Sequence, residues 1–200
     1  ISFDEDGTTT LDLSASDVDE DVLTFSISGG VNISTSLDGS TITFSVIDSD
    51  WNGTESFTAT VDDGELSDSR SFSVTVAPVN DNPFAIAAIT STNEDQSVVI
   101  QLTGSDVDGD NLSFELGLEP ALGSVAIEGS FATYIPNDDA YGIDTFTFFA
   151  NDGLLQSIES AEITITINPI NDAPYFILEN IPDISFDEDG TTTLDLSASD

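Results

Sequence analysis

The sequence predicts an all-β protein built of antiparallel β-sandwiches in tandem, arranged end to end. Three observations predict it. Apolar residues alternate with Ser and Thr at period two, the chain repeats itself, and runs of Asp, Asn and Gly interrupt the alternation at regular intervals. Alternation of this kind marks strands with one buried face, and the interruptions mark turns.

The strands follow in order. The stretch Thr8 to Ala15 is extended. Leu23, Phe25 and Ile27 alternate with polar residues, as do Ile42, Phe44 and Val46, then Phe57, Ala59 and Val61, then Phe72, Val74 and Val76. Further on, Phe146 and Phe148 repeat the pattern, followed by Ile163, Ile165 and Ile167. Seven or so short strands in about 90 residues is the pattern of an immunoglobulin-like sandwich. No stretch shows a helical period. Trp51, Tyr134 and Tyr141 stand singly beside strands, which suits core or strand-edge aromatics better than a ligand platform.

The repeats divide the chain. Residues 1–17, ISFDEDGTTTLDLSASD, recur letter for letter at 184–200, a period of 183. Inside that period a weaker repeat runs at an offset of 89: Glu5-Asp6 with Glu94-Asp95, Asp17-Val18-Asp19 with Asp106-Val107-Asp108, Phe57 with Phe146, Asp63-Gly64 with Asp152-Gly153. The segments Pro78 to Pro83 and Pro169 to Pro174 close the two units. The expected domains are therefore 1–82, a sandwich lacking its first strand, 83–173, a second sandwich, and 174–200, the start of a third repeat identical to the first. The chain begins and ends inside the pattern and reads as a window on a longer array.

Composition narrows the function. There are 39 acidic residues and one basic residue, Arg70, with a formal charge of −38. Nucleic acid and anionic membrane surfaces both require basic patches, so neither is a partner. No apolar run reaches the length of a membrane helix, so direct membrane insertion is not expected. The absence of Cys and His removes disulfides, zinc sites of the usual kind and the commonest catalytic bases and nucleophiles. The acids recur in every module instead of forming one pair, and the chain is not expected to be an enzyme.

Such a charge opposes a compact state unless cations screen or bind it. Strand topology indicates where the acids meet. Successive strands run up and down, so loops fall alternately at the two ends of a sandwich. The strand from Thr8 to Ala15 holds the Glu5-Asp6 and Asp17 groups at opposite ends, about 30 Å apart. Asp17, Asp19, Asp21 and Asp63 share the end where the chain comes in. Glu5, Asp6, Asp48 and Asp50 share the other. Stacking modules then gathers Glu5, Asp6, Asp48 and Asp50 with the linker residues Asn80, Asp81 and Asn82 and with Asp106, Asp108, Asp110 and Asp152 of the next module. The second junction is expected to use Glu94, Asp95, Asp138, Asp139, Asn171, Asp172 and Asp200. Calcium suits such sites, because it takes six to eight oxygen ligands with tolerant geometry, whereas magnesium demands a strict octahedron. An EF-hand does not fit. With Asp17 as position one, Val22 stands where Gly is needed and Ser28 where the bidentate Glu is needed; the second module has Asn111 and Gly117 there.

The runs Asn80-Asp81-Asn82-Pro83-Phe84 and Asn171-Asp172-Ala173-Pro174, with Asp106-Val107-Asp108 downstream, resemble the calcium linker of cadherin repeats. The whole chain resembles the bacterial cadherin-like tandem repeats of large surface proteins and repeats-in-toxin type adhesins. One departure bears on the number of ions per junction: Pro78 or Pro169 stands where the eukaryotic linker usually carries Asp. The resemblance implies a secreted protein at the cell surface. Its repeats would be structural extenders of an adhesin or surface fibre, stiffened by Ca2+ between neighbouring repeats of the same chain and able to associate laterally. The alternative is a glycan- or protein-binding module acting through the sandwich surface. That reading requires an exposed aromatic cluster, which the sequence does not display.

Overall fold

The computed structural model describes residues 1–176, 184–195 and 198–199, and it divides into two compact units. The first comprises Ile1–Pro83 together with Ser105–Leu112 and Asp152–Gln156; the second comprises Phe84–Gly104, Ser113–Asn151 and Ser157–Asp200. No helix occurs among the described residues, and so none is long and apolar enough to cross a membrane.

The first unit holds seven strands: β1 (Ser2–Asp4), β2 (Thr8–Asp12), β3 (Thr24–Gly29), β4 (Ile33–Asp38), β5 (Thr41–Val46), β6 (Gly53–Asp62) and β7 (Ser67–Ala77). They form one sheet in the order β1-β7-β6-β3 and another in the order β2-β5-β4. The alternating residues supply the core: Phe3, Ile33, Ile42, Phe44, Phe57, Val74 and Val76 are buried. Burial of each such side chain contributes about 1.5–3 kcal/mol. The Phe44 and Phe57 rings meet edge to face at 5.4 Å. β2 is shorter than the alternation suggests. After Asp12 the chain leaves the strand and runs irregularly to β3.

The outward positions of the first unit are mostly hydroxyls. Across β3, β6 and β7 the register aligns Ser28 with Thr58 and Ser71, and Ser26 with Thr60 and Ser69. Neighbouring hydroxyls bond across strands, Thr58 to Ser71 at 3.0 Å and Thr60 to Ser69 at 2.8 Å. Neutral faces leave much of the acid to the loops.

The second unit contains β8 (Phe84–Ile86), β9 (Ala88–Asn93), β10 (Val98–Gln101), β11 (Thr103–Ser105), β12 (Ser113–Leu116), β13 (Gly123–Glu128), β14 (Phe131–Pro136), β15 (Gly142–Asn151) and β16 (Ala161–Asn168). Its sheets are β12-β15-β16-β9 and β10-β14-β13, and a short pair joins β8 to β11. Ile100, Leu102, Tyr134, Phe146, Phe148, Ile163, Ile165 and Ile167 fill its core. The parallel pairing of β9 with β16 repeats that of β1 with β7. Further along, β17 (Tyr175–Phe176) pairs antiparallel with β18 (Ala198–Ser199). Of the three aromatics singled out in the sequence, Tyr134 is fully buried, Trp51 packs against the first core, and Tyr141 is exposed beside β15.

Candidate metal centre

The acids of the first unit fall into two loop groups. In one, the Asp17 carboxylate accepts the amides of Asp19 at 2.8 Å and Asp21 at 3.3 Å, which makes a tight turn. The Asp63 carboxylate accepts the amides of Leu66 and Glu65, and these bonds hold it below the usual aspartate range. Asp17 and Asp63 line the same cavity of about 220 Å³, so the structure brings these two together. Asp19 and Asp21 are exposed on the same loop.

The second group surrounds the linker. Glu5 is 1% exposed. Its amide donates to the Ala77 carbonyl, and its carboxylate accepts the Val79 amide at 2.6 Å and the Asn52 side chain at 3.3 Å. These bonds pin the linker where β7 ends. Beyond that point Asn80 donates to Asp152 at 2.8 Å, the Asp81 amide donates to the Asp108 carboxylate at 2.9 Å, and Asn82 donates to the Gln156 carbonyl at 2.7 Å. The linker is thus bonded to the two loops 105–112 and 152–156 that complete this unit.

The electrostatics of the group are unbalanced. Partial burial, followed by the charges of Asp50, Asp6, Asp108 and Glu5, pushes the Asp81 carboxyl above the usual aspartate range. Arg70, the one basic side chain of the sequence, is exposed and bonds Asp68 at 2.7 Å. Asp106 uses one oxygen to accept the Asp110 amide at 3.2 Å. Its other oxygen is shut off from solvent with no hydrogen-bond partner among the described residues. A buried carboxylate oxygen without a donor is costly. Asp152 is the opposite case: the amides of Leu155 and Leu154 and the Asn80 side chain hold its carboxyl below the usual range.

The structure therefore gathers Glu5, Asp6, Asp50, Asn80, Asp81, Asn82, Asp108 and Asp152, with Asp106 on the same loop as Asp108. Two further residues that the sequence nominated take part in hydrogen bonds of the neighbouring turns. Asp48 accepts the Asp50 amide within its own turn at 3.4 Å, and Asp110 serves the Asp106 turn through its amide.

The second unit repeats part of this arrangement. Glu94 is 4% exposed, receives the Ile170 amide, and donates its own amide to Asn168. Carboxylate oxygens of Asp95, Asp139 and Asp172 lie within 4.8 Å of one another. Asp95 and Asp139 adopt left-handed backbone, with φ of 59° and 56°, which Asp tolerates better than most residues. Asn171 donates to the Asp172 carbonyl at 2.9 Å, as Asn80 does to Asp81 at 3.2 Å. Asp138 is not among the three converging acids, and Asp200 lies outside the described residues.

Two acids missed in the sequence proved structural. Glu55 accepts the amides of Val31, Asn32 and Ile33 and the Asn32 side chain. Its counterpart at the 89-residue offset, Asp144, is 4% exposed and accepts the amides of Ala121, Leu122 and Thr145 and the Tyr134 hydroxyl. Burial raises both carboxyls, but these donors outweigh it and hold both below the usual range. The signal was available: each acid sits in phase with the inward residues of its strand.

The donor set is chemically uniform, consisting of carboxylates, Asn side chains and backbone carbonyls. That is the ligand chemistry of a hard divalent cation, and the orphaned Asp106 oxygen fits such an ion.

Known proteins show the same modules. Residues 80–169 match the bacterial cadherin-like domain, and residues 1–76 match a bacterial Ig domain. Neither is an enzyme family. Among solved structures, mouse protocadherin-24 EC1-3 aligns with a TM-score of 0.59 and 17% identity, covering 99% of this chain and 71% of that one. Human protocadherin-24 EC1-2, form II, gives 0.57 and 16%, covering 80% and 88%. An endo-fucoidan hydrolase of glycoside hydrolase family 107 aligns only loosely, at a TM-score of 0.37 and 22% identity over 86% of this chain, which spans 28% of that chain's length. No curated protein matches the sequence. The chain thus consists of β-sandwich modules, and its two matched stretches are similar to bacterial Ig and bacterial cadherin-like domains.

Proposed function

We propose that these modules are extender repeats of an extracellular adhesin or surface fibre, stiffened by Ca2+ held at the linkers, in the manner of large repeats-in-toxin adhesins. The observation that carries this reading is the crowding of Asp6, Asp50, Asp108 and Glu5 around Asp81 with no cationic side chain to balance them. Two unit charges about 5 Å apart repel by about 0.8 kcal/mol even in bulk water, and by more where solvent is excluded. A bound cation turns that repulsion into shared ligation.

Glu5, Asp6, Asp50, Asp81, Asp106 and Asp108 are the residues that would hold the ion. Asn80 and Asn82 orient the linker, and Asp152 anchors Asn80. At the second linker Asp95, Asp139 and Asp172 take the corresponding part, with Glu94 pinning the chain. Calcium would supply positive charge and a preference for many oxygens, so that loops repelling one another in its absence lock in its presence. A flexible chain then becomes a rod that projects an adhesive domain or packs beside other rods.

Small-angle scattering of the chain during a calcium titration tests this. The maximum dimension and the thermal midpoint should both rise with calcium and revert with chelator. No change in either defeats the proposal.

A further inference from the structure

The two sandwiches dress the same sheet differently. The sheet β10-β14-β13 of the second unit corresponds to β2-β5-β4 of the first. Tyr134 and Phe44, both fully buried, hold the same place in the middle strands. From that match the outward positions correspond. In the first unit they carry Thr10, Asp12, Ser36, Thr41, Thr43 and Ser45. In the second unit Val99, Gln101, Ala126, Phe131, Thr133 and Ile135 stand in those places. Val99 is 63% exposed, Ile135 53% and Phe131 49%. The sandwich does not require apolar residues there, since the first unit forms the same sheet with hydroxyls. An apolar cluster facing water, on a face that folds without one, marks an interaction surface.

Charge and register together indicate what covers this face. The chain carries a formal charge of −38, and a cationic partner would be steered to the acidic loops, not to a face whose one acid is Glu128 at its margin. A second copy is repelled wherever carboxylates meet, so it can settle only on a face nearly free of them. The register makes this face complementary to itself. The row Val99-Thr133-Ala126 crosses its middle. On one side of that row lies Gln101-Phe131-Glu128, and on the other Ile135 stands beside Ser124. A second copy turned over about the middle row lays each Phe131 on the other's Ile135 and each Glu128 on a Ser124. The two acids then fall at opposite ends of the contact. Sheets pack face to face with nearly aligned strands in natural sandwiches.

We propose that the outer face of β10-β14-β13 is a self-association surface, which joins two copies of this chain through Val99, Ala126, Phe131 and Ile135 with their β14 strands antiparallel. The same patch serves both copies, so the contact closes a pair. The face measures about 14 Å across its three strands and about 20 Å along them. That is less than a permanent interface covers, and the pairing is weak and reversible. It needs no ion, so it holds whether or not the linkers bind calcium.

Sedimentation equilibrium of the full chain in chelator tests this. Association should grow with protein concentration. Raising NaCl from about 0.15 M to about 0.5 M should strengthen it, because salt screens repulsion between the acids and leaves the apolar contact intact. Phe131→Thr with Ile135→Ser installs the residues of the first unit and should weaken association by at least about tenfold. Both positions are exposed, so circular dichroism should stay unchanged. The sequence has no Cys, so a single introduced thiol reports the geometry. Val99→Cys should cross-link to itself through a short bis-maleimide, and Phe131→Cys should not. A chain that stays monomeric at about 1 mM, or a double variant that associates as strongly as the parent, overturns the surface. Association that salt weakens means that charged groups carry the contact, and overturns it as well. Cross-linking through Phe131→Cys in place of Val99→Cys overturns the antiparallel arrangement.

Discussion

Two pairs of acids in this molecule look alike in the sequence and behave in opposite ways. Glu55 and Asp144 sit inside their sandwiches, and converging amide, hydroxyl and side-chain donors satisfy them. Asp81 and Asp106 sit at the linker. Asp81 faces other carboxylates, and one oxygen of Asp106 has no donor at all among the described residues. The first pair is complete within the polypeptide. The second is left with unbalanced charge and an unpartnered oxygen. The difference lies between carboxylates whose oxygens find donors within the polypeptide and carboxylates that face one another or leave an oxygen without a donor.

That contrast can be broken most severely at Asp144. Asp144→Ala leaves the buried Tyr134 hydroxyl without its acceptor and also frees the amides of Ala121 and Leu122, and it should cost about 3 kcal/mol in urea unfolding. Glu55→Ala should cost less, about 1–2 kcal/mol, because Glu55 is only half-buried and holds no buried hydroxyl, so water can replace the lost bonds. Neither change should alter the calcium response.

Acid provides the next test. Both clamp carboxyls titrate lower in the folded chain than in the unfolded one. Their contribution is therefore complete above the ordinary carboxylate range, near about pH 4, and is lost as pH falls through their depressed values. Urea midpoints measured down the acid range should fall, and Asp144→Ala should flatten that fall. A variant as acid-sensitive as the parent would show that the clamp is not the origin.

The linker acids should respond in the reverse sense. Asp106→Asn with Asp108→Asn removes two charges from a crowded site, so stability in chelator should change by no more than about 0.5 kcal/mol, while the calcium-induced rise in the thermal midpoint disappears. Collapse of the fold in chelator would mean that these acids serve the sandwich. The smallest effect is expected at Asp48, whose carboxylate stays on its own turn. Asp48→Asn should leave calcium affinity, read by isothermal titration, within about twofold of the parent, since its surface site contributes little.

Much of this was legible in the residues. Period-two alternation through Phe57 and Val74 or Ile163 and Ile165 could be satisfied only by sheets with one buried face, so the sandwich followed from the pattern. The identity of 1–17 with 184–200 established the repeat. The up-and-down course of the strands separated the Glu5 and Asp17 groups, because side-chain spacing along a strand is a local property. Local rules could not say which oxygens find donors. Glu55 and Asp63 are both acids near turns, and only the folded chain shows that one reaches three amides across the sandwich while the other caps its own loop. Nor could they show that Asp144 takes the Tyr134 hydroxyl. Those facts depend on residues distant in the chain meeting in space, and tertiary packing alone decides that.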